Sequence, residues 1–196
     1  MQKPPFAISA LGIFAALSAL LPLGYLLIRL FAGFDNDRDR CLFGICFHTS
    51  CRISEALQLT VNDVGTAITF RKSTTKGKKG TRSIPVNPAL RKILDLYLQE
   101  FQPDSYLFPS FHNAREKGHL HRSSADLILR NACERAGLKG VSTHSFRRSA
   151  LTMMSNRGVP LRVIQKISGH SSLEVLQRYL EVSDEQIGDA VNLLGQ

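Results

Sequence analysis

The chain has 196 residues, a length that suits one full-sized domain and argues against a two-lobed architecture. Its 25 Lys and Arg exceed its 16 Asp and Glu, and this basic excess, which lies mostly beyond residue 34, favours a polyanionic partner such as nucleic acid. The four cysteines form no Cys-x-x-Cys pair and no zinc-like spacing, which argues against a disulfide framework and a metal site and fits a reducing compartment.

Residues 1–34 are predicted to be a hydrophobic N-terminal extension. The stretch from residue 6 to residue 28 carries no charge and is long enough to cross a bilayer, which needs about 20 apolar residues. Pro22 and two glycines interrupt it, and no cleavage site of the signal-peptide type follows it. Three interpretations stay open: a membrane helix or interfacial anchor, an apolar segment that packs on the domain, and a leader of aberrant origin.

A soluble and mostly helical domain is predicted from residue 35 onward, where the charged run DNDRDR marks the change in composition. Apolar residues at helical spacing predict short helices over 38–48 and 52–59. Alternating β-branched residues over 67–71 and 81–86 predict the two strands of a hairpin. The loop KSTTKGKKG between them is broken by glycine and rich in lysine, so we expect a basic tip.

The helices of the second half are predicted from their N-cap residues, whose side chains can accept a hydrogen bond from the first turn. Asn87, which a proline follows, caps a helix that ends before the next proline. Ser123 or Ser124 can cap a second helix, and Thr143 can cap a third. Ser172 is predicted to cap the helical segment LEVLQRYLEV, which follows at once.

A last helix is predicted from about residue 183. Ile187, Ala190, Val191 and Leu194 fall at i, i+3, i+4 and i+7, and they give a narrow apolar stripe that must pack on this domain or on a neighbour. Together with the hairpin, these elements predict a fold that is mainly α with a small antiparallel β-sheet, an α+β domain.

Three short strings contain residue types that suit chemistry on a phosphodiester: TSCRISEALQL at 49–59, THSFRR at 143–148 and SGHSSLEVLQRYL at 168–180. Planar guanidinium groups can hold two non-bridging phosphate oxygens in fixed geometry while negative charge develops on them. An aryl oxygen is a good nucleophile and also a good leaving group. A phosphotyrosine bond would therefore store the energy for religation, and no ATP would be required.

Together with the basic hairpin, these strings resemble the catalytic domain of tyrosine recombinases, the phage integrase family, over roughly residues 35–190. The resemblance implies the fold of the DNA breaking-rejoining enzymes, with residues 35–196 as the catalytic domain. It implies a site-specific recombinase or integrase that works through a 3′-phosphotyrosine intermediate without metal or other cofactor. It also implies double-stranded DNA as the partner, a homo-tetramer on paired sites, and a cytoplasmic, nucleoid-associated location, with membrane association through residues 6–28 left open.

The resemblance assigns roles to five polar residues of the three strings. Arg52 and Arg147 match the two family arginines that hold the phosphate, and Tyr179 matches the nucleophile. His144 is expected to donate to a phosphate oxygen or to assist proton removal from the nucleophile. His170, after a glycine, matches the second family histidine, which contacts the scissile phosphate.

Further residues belong to the hairpin and to the first string. Lys76 stands where the family carries its hairpin lysine, which is inferred to protonate the departing 5′ oxygen as a general acid. Lys78, Lys79 and Arg82 are predicted to contact DNA phosphates. Glu55 resembles a family carboxylate that supports the site by pairing with bases.

The chain departs from the family pattern at two places that matter for the site. Ser50-Cys51 stands where relatives often have Gly-Leu, and Ser168 replaces a common Leu. Each change puts a small polar residue where an apolar one often packs, so we expect looser positioning of the site.

The family's N-terminal core-binding domain, which closes a clamp around DNA, is expected to be absent, because residues 1–34 cannot supply it. Two alternatives to a recombinase therefore stay open. One is a nicking and closing enzyme that resembles type IB topoisomerases. The other is a truncated, inactive DNA-binding remnant that keeps the motifs but lacks the clamp.

Overall fold

The structure of the chain, a computed structural model, describes residues 21–74, 80–110, 118–180, 184–192 and 194. Helices dominate, and one hairpin interrupts them, which confirms the predicted fold class. In chain order the elements are α1 (Leu21–Ala32), α2 (Asp37–His48), α3 (Ile53–Leu57), β1 (Ala67–Phe70), β2 (Arg82–Pro85), α4 (Pro88–Phe101), α5 (Arg122–Ala136), α6 (Thr143–Asn156), α7 (Leu161–Ser168), α8 (Leu173–Gln177) and α9 (Asp184–Asn192), with short 3-10 turns at Val61–Asp63 and Lys72–Thr74.

Helix α1 packs into the same core as the elements that follow it. Leu27, Leu30 and Phe31 on α1 are buried, and Phe34 stacks on Phe43 of α2 with ring centroids 4.9 Å apart. The change in composition near residue 34 therefore does not coincide with a break in packing. Among the described residues, no helix combines the length and apolar character needed to cross a membrane, and residues 6–20 of the predicted apolar stretch lie outside that part of the chain.

Helix α2 is the centre of the main core. Its residues 41–47 are all buried, and it packs against α4 on one side and α6 on the other. The predicted cap of α4 is confirmed, because the Asn87 side chain accepts from the Leu90 N–H at 2.8 Å. The four cysteines are buried free thiols, as expected from their spacing.

The hairpin places one face of each strand on the core. Phe70 lies opposite Arg82 and Ile68 opposite Ile84 in an antiparallel register, and Ile68, Phe70 and Ile84 are buried. Side chains alternate between the two faces of a strand, so the intervening residues lie towards solvent. The hairpin tip, residues 75–79, lies outside the described residues, and with it Lys76, Lys78 and Lys79.

The caps of two helices lie before the predicted cap residues, and these predictions were wrong in detail. Helix α5 is capped by His121, whose Nδ1 accepts from the Ser123 N–H at 3.4 Å, so Ser123 and Ser124 lie inside the first turn. Helix α6 is capped by Ser142, and Thr143 is its first residue. An imidazole nitrogen can accept the same bond as a serine oxygen. Histidine is not among the common N-cap residues, so the sequence carries no signal for this cap.

The C-terminal part has a small apolar cluster of its own. Leu151 of α6, Ile164 of α7 and Leu176 of α8 are fully buried there, and Tyr179 packs at the edge of the cluster. Helix α8 ends at Gln177, so the predicted helix LEVLQRYLEV is shorter than expected and Tyr179 lies in the turn that follows.

Helix α9 leaves its apolar stripe uncovered. The exposed fractions of Ile187, Val191 and Leu194 are 53%, 61% and 88%, and Ala190 is also exposed. The stripe that the spacing predicts is present, but among the described residues the domain does not cover it.

Candidate active site

Arg147 lies at the centre of the site and is only 2% exposed. It donates through Nη1 to the carbonyl of Ser50, and through Nη2 to the carbonyl of Ser168 at 2.9 Å. Because a guanidinium group is planar and only donates, two carbonyls from distant parts of the chain fix its orientation. Burial, followed by the positive charge of Arg52, lowers the pKa of Arg147 to about 10, so the side chain remains cationic at neutral pH.

Ser50 holds its carbonyl towards Arg147 through an unusual backbone conformation. Its φ is +51°, in the left-handed region that favours glycine, and its side chain is buried. The hydroxyl oxygen is also without a hydrogen-bond partner among the described residues. Both features cost free energy. A glycine, which is common in relatives at this position, would avoid both costs, so the serine is expected to destabilise the fold here.

Glu55, at 1% exposure, holds two arginines beneath the site. Its carboxylate accepts from Nη2 of Arg82 at 2.8 Å and Nη1 at 3.3 Å, and from the Arg52 N–H at 2.9 Å and Nη1 at 3.1 Å. Burial alone would raise the pKa of Glu55, but the hydrogen bonds and charges of Arg82 and then Arg52 outweigh it and lower that pKa. An ionised carboxylate thus fixes both cations, which is the geometry that a supporting role requires.

Arg82 is therefore not an exposed residue of the hairpin tip. Its guanidinium carbon lies 4.4 Å from the centre of the Phe70 ring, and its side chain is 12% exposed. Gly169, which ends α7 with φ +68°, lies against it, and a Cβ there would be 3.0 Å from Nη1 of Arg82. The glycine of the Gly-His pair is thus required both by its backbone conformation and by space.

His170 is buried beside Arg147. Its Nε2 lies 3.0 Å from Nη2 of Arg147, and its Nδ1 lies 2.7 Å from Oγ of Ser168. Burial, followed by the charges of Arg147, Arg52 and Arg82, lowers the pKa of His170 to about 4. The ring is therefore neutral at pH 7, and it can contribute hydrogen bonds rather than charge.

The Tyr179 ring packs against the His170 ring at the site. The two ring centroids lie 5.2 Å apart, and the carbonyl of Tyr179 accepts from Oγ1 of Thr152 at 3.5 Å. The side chain is half-buried. By contrast, Tyr97 lies in the main core with its hydroxyl donating to the Leu107 carbonyl, and Tyr25 lies on α1.

His144 is exposed on the first turn of α6, three residues before Arg147 and hence on the same face. Burial, followed by the positive charges of Arg122, Arg147 and Arg52, lowers the pKa of His144. His144 thus lies at the outer edge of the site, and it shares the positive charges of Arg147 and Arg52 with His170.

An open cleft of about 370 Å³ adjoins this cluster. Arg52, Glu55, Arg82 and His170 line it, together with residues that sequence reasoning missed: Arg162, Gln165 and Lys166 of α7. Arg162 and Lys166 are exposed and lie one helical turn apart on one face. Their spacing, just before the Gly-His pair, was the signal that could have identified them.

The structure thus brings together residues that are far apart along the chain. Arg52, Glu55, Arg82, Arg147 and His170 meet, Tyr179 adjoins them, and His144 lies at their edge. The predicted roles of the three tip lysines concern positions outside the described residues.

The model of the phage integrase family matches residues 29–186 of this chain. A tyrosine recombinase of Pseudothermotoga lettingae is 32% identical over 165 residues, which are 82% of this chain and 55% of the relative. The chain spans about half the length of the curated relatives it matches.

Solved structures share the fold. The crystal structure of XerA recombinase aligns with a TM-score of 0.70 and 24% identity, over 84% of this chain and 61% of that one. The XerH site-specific recombinase, in a post-cleavage complex with its palindromic difH substrate, aligns with a TM-score of 0.68 and 21% identity, over 88% of this chain and 52% of that one.

Proposed function

The chain belongs to the phage integrase family, and from this premise we propose that it is a site-specific recombinase that cleaves and rejoins double-stranded DNA through a phosphotyrosine at Tyr179. The observation that carries the proposal is the buried cluster of Arg147 and His170, with Tyr179 packed directly against the histidine ring. A cation this deeply buried costs free energy unless an anionic group uses it. A DNA phosphate is an anion that suits it.

In this proposal Arg147 and Arg52 hold the non-bridging oxygens of the scissile phosphate. Both are oriented before DNA arrives, Arg147 by two carbonyls and Arg52 by Glu55. Donors that are already aimed at the developing charge need not reorganise during the reaction, and each typically contributes about 10²- to 10³-fold to the rate. Glu55 and Arg82 act together as the support beneath them.

Cleavage forms a bond between the Tyr179 oxygen and phosphorus and breaks the bond from phosphorus to the 5′ oxygen. The phenol loses its proton, and His144 at the edge of the site is the base that we propose accepts it. The departing 5′ oxygen gains a proton from Lys76 of the hairpin tip, as the family resemblance implies. Attack by a 5′ hydroxyl on the 3′-phosphotyrosine reverses these steps, so neither ATP nor a metal takes part.

The cleft beside the site is proposed to receive the adjoining DNA backbone. Arg162 and Lys166 line it from α7, and Lys78 and Lys79 are expected to contact phosphates from the hairpin tip. Such contacts fix the register of DNA without reading bases, and they weaken as salt rises. Arg82 stays a predicted DNA contact, although its pairing with Glu55 favours the supporting role.

The uncovered stripe of α9 supports assembly into an oligomer. Ile187, Val191 and Leu194 present an apolar surface that a second copy of the chain can bury. Strand exchange needs several protomers on paired sites, and we propose a tetramer formed through this helix.

Trapping of a covalent adduct tests the proposed function. On a nicked suicide substrate, the wild-type chain should form a protein–DNA adduct that maps to Tyr179. Tyr179→Phe removes only the nucleophilic oxygen, so it should abolish the adduct and leave the Kd for DNA unchanged. An adduct formed by the Phe variant would contradict the assignment.

Two other outcomes would identify the alternatives. Salt-sensitive DNA binding with no adduct would indicate an inactive DNA-binding remnant. Relaxation of a supercoiled plasmid that carries no recombination site would indicate a topoisomerase-like activity.

A further inference from the structure

Ser168 makes a hydrogen bond inside the site that a leucine, the residue common in relatives, cannot make. Its Oγ lies 2.7 Å from Nδ1 of His170 and 3.3 Å from the carbonyl of Gln165. Ser168 is fully buried and His170 is 7% exposed, so water does not compete for these bonds. Its hydroxyl ties the histidine to the end of α7, and this bond argues against the expectation that Ser168 loosens the site.

Ser168 is the neighbour that distinguishes the two ring nitrogens of His170. Nη2 of Arg147 lies 3.0 Å from Nε2 and 3.4 Å from Nδ1, so this guanidinium group lies against the ring and does not select one nitrogen as its acceptor. Oγ of Ser168 bonds to Nδ1 at 2.7 Å and also lies 3.3 Å from the carbonyl of Gln165.

We propose that Ser168 is a positioning residue that holds the His170 ring in place through Nδ1, in either tautomer, and thereby keeps Nε2 available for a phosphate that enters the site. A serine hydroxyl can accept from Nδ1–H, and after rotation it can instead donate to an unprotonated Nδ1. Neither a leucine nor an alanine can do either. This inference rests on the proposed function, because it assumes a phosphate as the entering group.

The neutral ring can serve a phosphate without a change in charge. With its proton on Nε2, the ring can donate to a phosphate oxygen while Nδ1 accepts from the Ser168 hydroxyl. Arg147, Arg52 and Arg82 surround the ring, and Glu55 is the anion among its charged neighbours. Burial and the three cations keep the pKa of His170 low, so tautomer rather than charge decides what Nε2 does.

The first test follows the His170 ring by ¹⁵N–¹H correlation spectra of the full chain. We expect a hydrogen-bonded Nδ1 in the wild type, and in Ser168→Ala we expect a shifted Nδ1 resonance and broader ring signals, because the ring is no longer held. Ring spectra that are the same in the wild type and in Ser168→Ala would overturn the proposal. This measurement needs no catalysis, so it stands even if the chain forms no adduct.

The second test measures the rate of adduct formation on the suicide substrate. Loss of a group that orients a functional histidine typically costs 10- to 100-fold, so we expect Ser168→Ala to be slower by roughly 10-fold with the Kd for DNA unchanged. Ser168→Thr restores a hydroxyl and should recover most of the rate. Ser149→Ala, the same change at a partly buried serine of α6, is the matched control and should react like the wild type.

Thermal melting of each variant separates positioning from folding. If Ser168→Ala melts well below the wild type, Ser168→Cys, which keeps a γ atom in the place of the hydroxyl oxygen but is a weak hydrogen-bonding partner, replaces it in both tests. A wild-type rate in either of these variants, with the hydroxyl gone, would refute a positioning role. A wild-type chain that forms no adduct, with His170 ring signals that still respond to Ser168→Ala, would instead refute the proposed function alone.

Discussion

The arginine cluster and the tyrosine segment of this site are held by very different amounts of structure. Arg147 and Glu55 are 2% and 1% exposed, and they rest on the main core. Tyr179 follows a five-residue helix and packs on a cluster built around Leu151, Ile164 and Leu176. Helix α6 joins the two regions, since Phe146 lies in the main core and Leu151 in the small cluster.

This difference corresponds to the two tasks in the reaction that we propose. Groups that stabilise developing charge must be in place beforehand, because any reorganisation adds to the barrier. A nucleophile that becomes bonded to DNA must follow its phosphate, and a segment with few buried contacts can open at low cost in free energy. We therefore expect a rigid arginine cluster and a tyrosine segment of low local stability.

The largest effect is expected at Arg147. Arg147→Ala removes a donor that two carbonyls have aligned, so adduct formation should fall by roughly 10³-fold. Arg147→Lys keeps the charge but loses the planar fork, and we expect an intermediate rate. Arg148→Ala, at the exposed neighbouring position, is the control and should change the rate by no more than about twofold. Equal losses of rate in the Arg147 and Arg148 variants would contradict the proposed role of Arg147.

Two core substitutions compare the stability of the regions directly. Phe43 stacks on Phe34 and Phe146, so Phe43→Ala should lower the free energy of unfolding by about 4 kcal/mol and reduce amide protection throughout the domain. Leu176→Ala should cost about 2 kcal/mol, with faster exchange confined to α8 and the turn with Tyr179. Hydrogen exchange measures both. Amide exchange in α2 that is as fast in Leu176→Ala as in Phe43→Ala would contradict this comparison.

The support beneath the cluster should respond to pH. Glu55 has a lowered pKa in the folded chain, so the stability it contributes is fully present above its unfolded pKa, about 4.5, and is lost as the pH falls through the folded value. Glu55→Gln removes the charge that Arg82 and Arg52 need and should cost about 2 kcal/mol at neutral pH. Its unfolding free energy should then fall less than that of the wild type below pH 4.5. Parallel pH profiles of the two proteins would contradict the ion-pair account.

The smallest effect is expected at Ser50 and has the opposite sign. Ser50→Gly relieves a left-handed backbone and removes a buried hydroxyl, so it should raise the free energy of unfolding by about 1 kcal/mol. Gln102→Gly is the matched control, since Gln102 also has a positive φ, +38°, but is exposed. Chemical denaturation should therefore show a larger gain for Ser50→Gly than for Gln102→Gly. A destabilised Ser50→Gly would show that the serine has a role of its own.

The sequence by itself determined the features that depend on neighbouring residues. Helical periodicity, the Asn87 cap and the alternation of the hairpin predicted the elements, because each is a local pattern that one segment can satisfy alone. The Gly-His pair and the nearby Tyr179 were recognisable for the same reason. The sequence did not predict the histidine cap of α5 or the early end of α8, because neither has a strong local signature.

Only the tertiary structure decided how the site is held. The Ser50 carbonyl that orients Arg147 is 97 residues away along the chain, and Arg82 reaches Glu55 across 27 residues. The sequence left open whether α1 packs into the core, and it did not predict the bond from Ser168 to His170. Contacts of this kind depend on how whole elements pack together, which the spacing of residues within one element does not encode.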